Sequence, residues 1–309
     1  MTAEEADGAL AALLDRLRAL GYSFVPPTPE THRRVVARRA LAADLRDIFG
    51  WSRAFRPEAL PPDLLDLLRR ADALETDGAL CRSRVRVASI GDRLFLHSAY
   101  PTDGRDSVFL GPDSYRFVDF VRRELAAGPP VRRLVDVGAG AGVGAIMAAA
   151  HVPDARLTLT DINPLALRFA RINARHAGLE VETLSCSGLG QVLGAFDLVI
   201  ANPPFIVDGA GRFYRDGGGM RGAQLSLYWA LAAARRIAPG GRILLYTGSA
   251  IVDGEDRLRS ALQAGLATLG CALRYDELDP DIFGEQLDQP GYEEVERIAA
   301  VGAVIARAV

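Results

Sequence analysis

The 309-residue chain contains no lysine: its 36 basic side chains are all arginine, set against 39 acidic ones for a net charge of −3. We read the arginine bias as codon usage. The near balance removes any global electrostatic signature of a nucleic-acid or anionic-membrane partner. Cysteine is also scarce. Cys81, Cys186 and Cys271 are odd in number and far apart, which excludes a disulfide framework and zinc-ligand spacing and leads us to expect a reducing compartment. No apolar run approaches the roughly 20 residues of a membrane span. The opening Met1-Thr2-Ala3-Glu4-Glu5 is acidic and has no apolar signal core. The four histidines adopt no ligand spacing, so no metal is expected. These absences predict a soluble, cytoplasmic protein without a membrane partner.

What is present divides into three textures. Residues 1–84 read as a helical N-terminal domain for substrate recognition. Leu10, Leu13, Leu14, Leu17 and Leu20 form one apolar stripe. A second helix starts at Thr28-Pro29, a capping oxygen followed by proline, and is expected to bury Val35, Leu41 and Leu45. Pro61-Pro62 precedes a short helix through Leu64, Leu65 and Leu68. Residues 85–112 read as a β-hairpin connector turning at Gly91-Asp92. In 113–309 strands alternate with helices: Leu134–Val137, Leu157–Asp161, Val181–Leu184, Asp197–Ala201, Arg242–Thr247, and strands near 271–278 and 298–307. That alternation predicts an α/β fold, a mostly parallel sheet covered by helices on both faces.

Two segments carry chemistry. Asp136-Val137-Gly138-Ala139-Gly140-Ala141-Gly142-Val143-Gly144 is a glycine turn at the end of a strand, where a backbone can approach a ligand closely. The next strand ends in Asp161, 23 residues beyond Gly138, where an acid can accept both hydroxyls of a ribose. A dinucleotide dehydrogenase uses the same logic, with a pyrophosphate over the helix N-terminus. Its usual glycine spacing is not the clean reading here, because glycine recurs at every second residue. The second segment, Asp197-Leu198-Val199-Ile200-Ala201-Asn202-Pro203-Pro204-Phe205, is an apolar strand that stops in two prolines. The Asn202 amide oxygen and the Pro203 carbonyl form a rigid pair of acceptors suited to an NH2 group, with Phe205 to stack on a flat substrate. Gripping both N–H bonds of a delocalised nitrogen orients it and stabilises the positive charge that develops.

From about 107 to 250 the chain resembles the small-domain class I methyltransferases that use S-adenosylmethionine. These include HemK-like protein-glutamine methyltransferases and guanine-N2 ribosomal RNA methyltransferases; DNA adenine methyltransferases share the Asn-Pro-Pro motif. The resemblance implies a Rossmann-like, seven-stranded mostly parallel sheet. It implies that Asp136, Gly138, Ala139 and Gly140 hold the methionyl part of the donor, that Asp161 and Ile162 hold its ribose, and that Ser187, beside Cys186, lies in the adenine position. Asn202, Pro203, Pro204 and Phe205 match the catalytic motif. Phe109–Tyr115 occupies the place of a segment that closes over the donor, and Arg215-Asp216-Gly217-Gly218-Gly219 that of a glycine-rich segment folding against the motif. The loop between, Val207 to Arg215, carries Arg212 and Tyr214 as substrate-binding candidates.

The expectation is therefore N-methylation of a planar amide or exocyclic amine, in a protein glutamine, a ribosomal RNA base or a small molecule. A donor-consuming cyclase on the same scaffold and a catalytically silent binding module are the other readings. Seven arginines between 31 and 56 (33, 34, 38, 39, 46, 53 and 56) suit RNA phosphates. Nine acids between 274 and 297 suit an acidic rim at the active-site edge, which favours a protein or a cationic small molecule.

Overall fold

The computed structural model describes residues 2–126 and 128–308. The chain opens with α1 (Ala3–Ala19), whose Thr2 and Glu5 cap one another across the first turn. Then come α2 (Pro29–Val36), α3 (Leu45–Phe49) and α4 (Pro62–Arg70). Two antiparallel hairpins follow, β1 (Leu74–Asp77) with β2 (Leu80–Ser83) and β3 (Val85–Ile90) with β4 (Arg93–Ser98). The stretch 1–84 thus ends in a hairpin, not a helix.

Nor does α2 bury what its pattern promised. Only His32 of that helix is buried, Leu41 is exposed and Leu45 begins α3. Leu20, which closes α1, is also exposed. The leucines at 10, 13, 14 and 17 are buried, in one cluster with Phe169 and Ile172 from further along the chain. The N-terminal elements therefore share a core with the α/β region.

The remainder is α5 (Pro112–Leu125), β5 (Arg133–Val137), α6 (Val143–Ala148), β6 (Arg156–Asp161), α7 (Pro164–His176), β7 (Glu182–Ser185), β8 (Phe196–Ala201), α8 (Gln224–Ala234), β9 (Ile237–Val252), β10 (Glu255–Asp256), α9 (Arg257–Ala267), β11 (Cys271–Asp279) and β12 (Arg297–Arg307). The sheet order is β11-β12-β9-β8-β5-β6-β7, with the two-residue β10 added against β9. All neighbours from β9 to β7 are parallel; β12 runs antiparallel to both β9 and β11. This is a Rossmann-like α/β sheet. Its order reverses between β5 and β8, and ligands bind in α/β sheets beyond the strand ends at such a switch point.

Local rules explain the placement. Asn163 caps α7 by accepting from the Leu165 N–H at 3.0 Å, Pro164 supplies the first helical φ, and Gly178 leaves the helix at φ +71°. Asn173, buried on α7, accepts from Leu96 N at 2.8 Å and donates to Leu96 O and Ala141 O at 3.1 and 2.9 Å. One amide thereby ties the β3–β4 hairpin to the glycine turn. Because β12 is antiparallel, the crossover 280–296 returns to the end of the sheet where β5, β6 and β8 stop.

Candidate active site

One cavity of about 250 Å³ lies over the ends of β5, β6 and β8. Asp136, Gly138, Ala139, Gly140, Asp161, Ile162, Ser187, Asn202, Pro203, Pro204, Phe205 and Tyr214 all line it. Residues separated by more than 60 positions are brought together by the parallel register, in which Asp136 pairs with Ile200 and with Leu159.

Gly138, Gly140 and Gly142 all have positive φ (+68°, +54° and +79°), a conformation nearly closed to other residues. At Gly138 a Cβ would meet the Trp229 ring at 2.5 Å, whereas beside Gly140 nothing lies within 4 Å. The turn is packed from below at Gly138 and open toward the cavity at Gly140. Asp161 fixes it from the side: its carboxylate accepts from Gly140 N and from Asn163 N, each at 2.9 Å. Asp136 accepts from Ala145 N at 2.8 Å, holding the start of α6 against β5. Burial pushes the Asp136 carboxyl up to about 7 and also raises those of Asp161 and Asp113, a third acid in the cavity wall. Asp113 receives the Tyr246 hydroxyl at 3.0 Å. The cavity thus concentrates carboxylates against a wall that disfavours their charge, a setting that a cationic ligand relieves.

The proline turn faces the same space. No hydrogen bond within the described residues reaches the Asn202 side chain or the Pro203 carbonyl. Gly217 and Gly222 press on the turn from behind; a Cβ on Gly217 would meet Pro204 O at 2.6 Å, and one on Gly222 would meet Phe205 O at 2.3 Å. The Phe205 ring rests over Gly248 of β9 and edge-on to Phe283, with centroids 5.7 Å apart. Segment 207–215 closes the top. Tyr214 stacks on Phe109 at 5.3 Å and donates to Thr102 O at 3.1 Å, while Phe213 N donates to Arg105 O at 3.0 Å.

Three expectations need correction. Arg212 does not line the cavity: it forks onto Asp208 (3.0 and 2.5 Å), and Arg215 lines the wall in its place. The acidic crossover is not simply a charged rim. Its inward side chains are Phe283, Gln286 and Tyr292, and they hold the lid. Tyr292 OH accepts from Val207 N at 3.0 Å and donates to Arg221 O at 3.2 Å, while Gln286 accepts from Arg215 at 2.9 Å. In the arginine-rich stretch, Arg53 is buried, bonded to Val35 O and Val36 O and paired with Asp47. Arg34 and Arg39 pair with Glu30 and Asp47, which leaves Arg33, Arg38, Arg46 and Arg56 exposed. Phe283, Trp229 and Gly188 also line the cavity and were not singled out by sequence, whereas Asp113 lies in the Phe109–Tyr115 segment expected to close over the donor.

Residues 119–214 match the methyltransferase small domain family. The release factor glutamine methyltransferase of Deinococcus radiodurans is 34% identical over 165 residues, 50% of this chain and 55% of that protein. The ribosomal RNA small subunit methyltransferase C of Salmonella choleraesuis is 36% identical over 102 residues, 29% of this chain and 30% of that one. The chain therefore spans about half the length of the first relative and under a third of the second. A Thermus thermophilus 16S rRNA N2 G1207 methyltransferase, solved with AdoMet and guanosine, superposes at a TM-score of 0.48 with 14% identity, covering 83% of this chain and 64% of that one.

Proposed function

We propose, for a chain whose segment 119–214 matches the methyltransferase small-domain family, methyl transfer from S-adenosylmethionine to a planar amide or exocyclic amino nitrogen. The acceptor is a protein glutamine or a ribosomal RNA base, the two classes named by the relatives above. The observation that carries the reading is that the glycine turn, Asp161 and the Asn202–Phe205 turn share one cavity.

The cavity suits the donor on its own terms. Open space beside Gly140 admits a ligand backbone, and Asp161 retains lone pairs for two hydroxyls after accepting its two N–H bonds. The buried acids Asp113 and Asp136 suit a cation. When bound, S-adenosylmethionine supplies an electrophilic methyl group. The protein's part is orientation and charge. Asn202 Oδ1 and the Pro203 carbonyl accept the two N–H bonds of the acceptor nitrogen, aiming its lone pair into the cavity and favouring the charge that grows on nitrogen. Phe205 and Phe283 supply apolar faces for the flat group, and the lid 207–215 excludes water.

The test is incubation with methyl-labelled donor and either 30S ribosomal subunits or release factor. Label in one of them, with S-adenosylhomocysteine as co-product, supports the reading. Methylthioadenosine as the product points to a cyclase instead, and no product from either acceptor removes the macromolecular substrate.

A further inference from the structure

Trp229 comes from α8, on the far side of the sheet from α5 and α6, yet it reaches the cavity through its floor. It is 9% exposed, and its indole N–H has no hydrogen-bond partner among the described residues. The other buried side-chain polar atoms without a partner belong to Arg53, His97, Arg221 and Arg242, and none of those residues lines the cavity. Among the described residues, the orphaned indole N–H is therefore the fully buried side-chain donor of this site without a partner. A buried donor without an acceptor is costly, and native structures rarely leave one.

Two glycines make the approach. At Gly138 a Cβ would meet the outer edge of the indole at 2.5 Å, and at Gly188 a Cβ would meet Cδ1 and Nε1 at 3.3 Å. Gly188 holds φ +57°, and its carbonyl is fixed by the Thr160 hydroxyl at 2.8 Å. With no side chain at 188, the pyrrole edge of Trp229 packs against Gly188 in the cavity wall, between the ends of β5 and β7. Asp161 lies next to this end, since Cys186 N donates to Asp161 O at 3.1 Å. A ribose held by Asp161 puts its base over 186–188. A purine presents ring nitrogens that accept hydrogen bonds in the plane of the ring.

We infer that Trp229 Nε1–H donates a hydrogen bond to a ring nitrogen of the bound adenine. Trp229 is thus a base-reading residue, supplied from under the sheet and lying directly against Gly188. The inference rests on the methyl-donor reading above. It is tested by calorimetry with S-adenosylhomocysteine and its 1-deaza, 3-deaza and 7-deaza analogues, each lacking one acceptor nitrogen. On the wild-type protein one analogue binds roughly tenfold more weakly, the scale of one hydrogen bond. Trp229→Phe binds S-adenosylhomocysteine roughly tenfold more weakly and no longer distinguishes that analogue, as a coupled pair requires. Wild-type affinity in the variant, or undiminished discrimination by it, overturns the inference. The indole ¹⁵N–¹H resonance of Trp229 in the wild-type protein needs no variant: S-adenosylhomocysteine shifts it downfield and slows its exchange, and the discriminating analogue does neither. Binding that leaves this resonance unmoved sinks the hydrogen bond alone. Failure of S-adenosylhomocysteine to bind at all removes the donor reading, and this inference with it.

Discussion

Gly248→Ala isolates the link between sheet packing and chemistry. Gly248 sits in β9, paired with Ala300 of β12, and its φ is not in the left-handed region, so a methyl group there brings no backbone strain. All of its cost is steric. The new Cβ would lie 2.4, 2.8 and 3.1 Å from three atoms of the Phe205 ring. Ordinary contact begins near 3.4 Å, so the ring must retreat by about 1 Å, and the free side is the cavity. Overpacking of this kind costs about 1–3 kcal/mol when the neighbours cannot move. Here one side can, so the stability loss falls at the low end, about 1 kcal/mol, and the larger effect is on turnover. A reacting group misplaced by about 1 Å can lose on the order of 10²-fold in rate. We expect kcat/KM to fall by roughly that factor while S-adenosylhomocysteine affinity stays within about threefold, because Phe205 lies at the acceptor end. Methyl-transfer kinetics read the first, calorimetry the second and urea unfolding the third. Repeating the change in a Phe205→Ala background should be nearly neutral for turnover, since the ring it displaces is gone. Unchanged kcat/KM in Gly248→Ala, or an equal loss in both backgrounds, refutes the reasoning.

Three further outcomes follow. Asp161→Ala removes the acceptor proposed for two ribose hydroxyls and should weaken donor binding by about 100-fold in calorimetry; unchanged affinity rejects the ribose assignment. Asn202→Ala should lower kcat by roughly 10²–10³-fold with donor affinity nearly intact, by analogy with loss of one charge-stabilising group; retained turnover rejects the two-acceptor scheme. The third concerns acid. His32, with Arg86 beside it, is held near pH 3, by burial first and the guanidinium charge second, and fully buried His97 is also pushed well below its usual value. Below the ordinary histidine value of 6.5 the unfolded chain takes up protons that the folded one refuses. Their stabilising effect is thus complete above about pH 6.5 and is lost as pH falls toward 3. His32 alone accounts for about 1.6 kcal/mol between pH 6.5 and 5. Urea unfolding at the two pH values should show at least that loss, reduced in His32→Gln; an identical pH dependence in the two proteins rejects it.

The candidate site was legible because its residues lie in short contiguous strings. A strand ending in Gly138-Ala139-Gly140 requires left-handed backbone that only glycine supplies cheaply, and Asn202-Pro203-Pro204-Phe205 cannot continue a strand. Those are local rules, and they act without knowledge of the fold. Alternation of strands and helices likewise dictated the parallel sheet, because buried parallel strands must be apolar on both faces.

Tertiary structure decided the rest, for one physical reason: a side chain's role depends on what lies across from it. Arg212 and Arg215 look alike in sequence, but Asp208 takes the first and the cavity receives the second. The acidic count of 274–297 gave no hint that Phe283, Gln286 and Tyr292 turn inward, a consequence of β12 running antiparallel and returning its crossover to the site. Trp229 reads as helix filler until Gly138 and Gly188, 91 and 41 residues away, are seen to make room for its ring in the cavity wall. Sequence thus specified the strings that line the candidate site and the order of elements, because backbone conformation is local. The pocket wall was set by packing between distant segments, which no local pattern encodes.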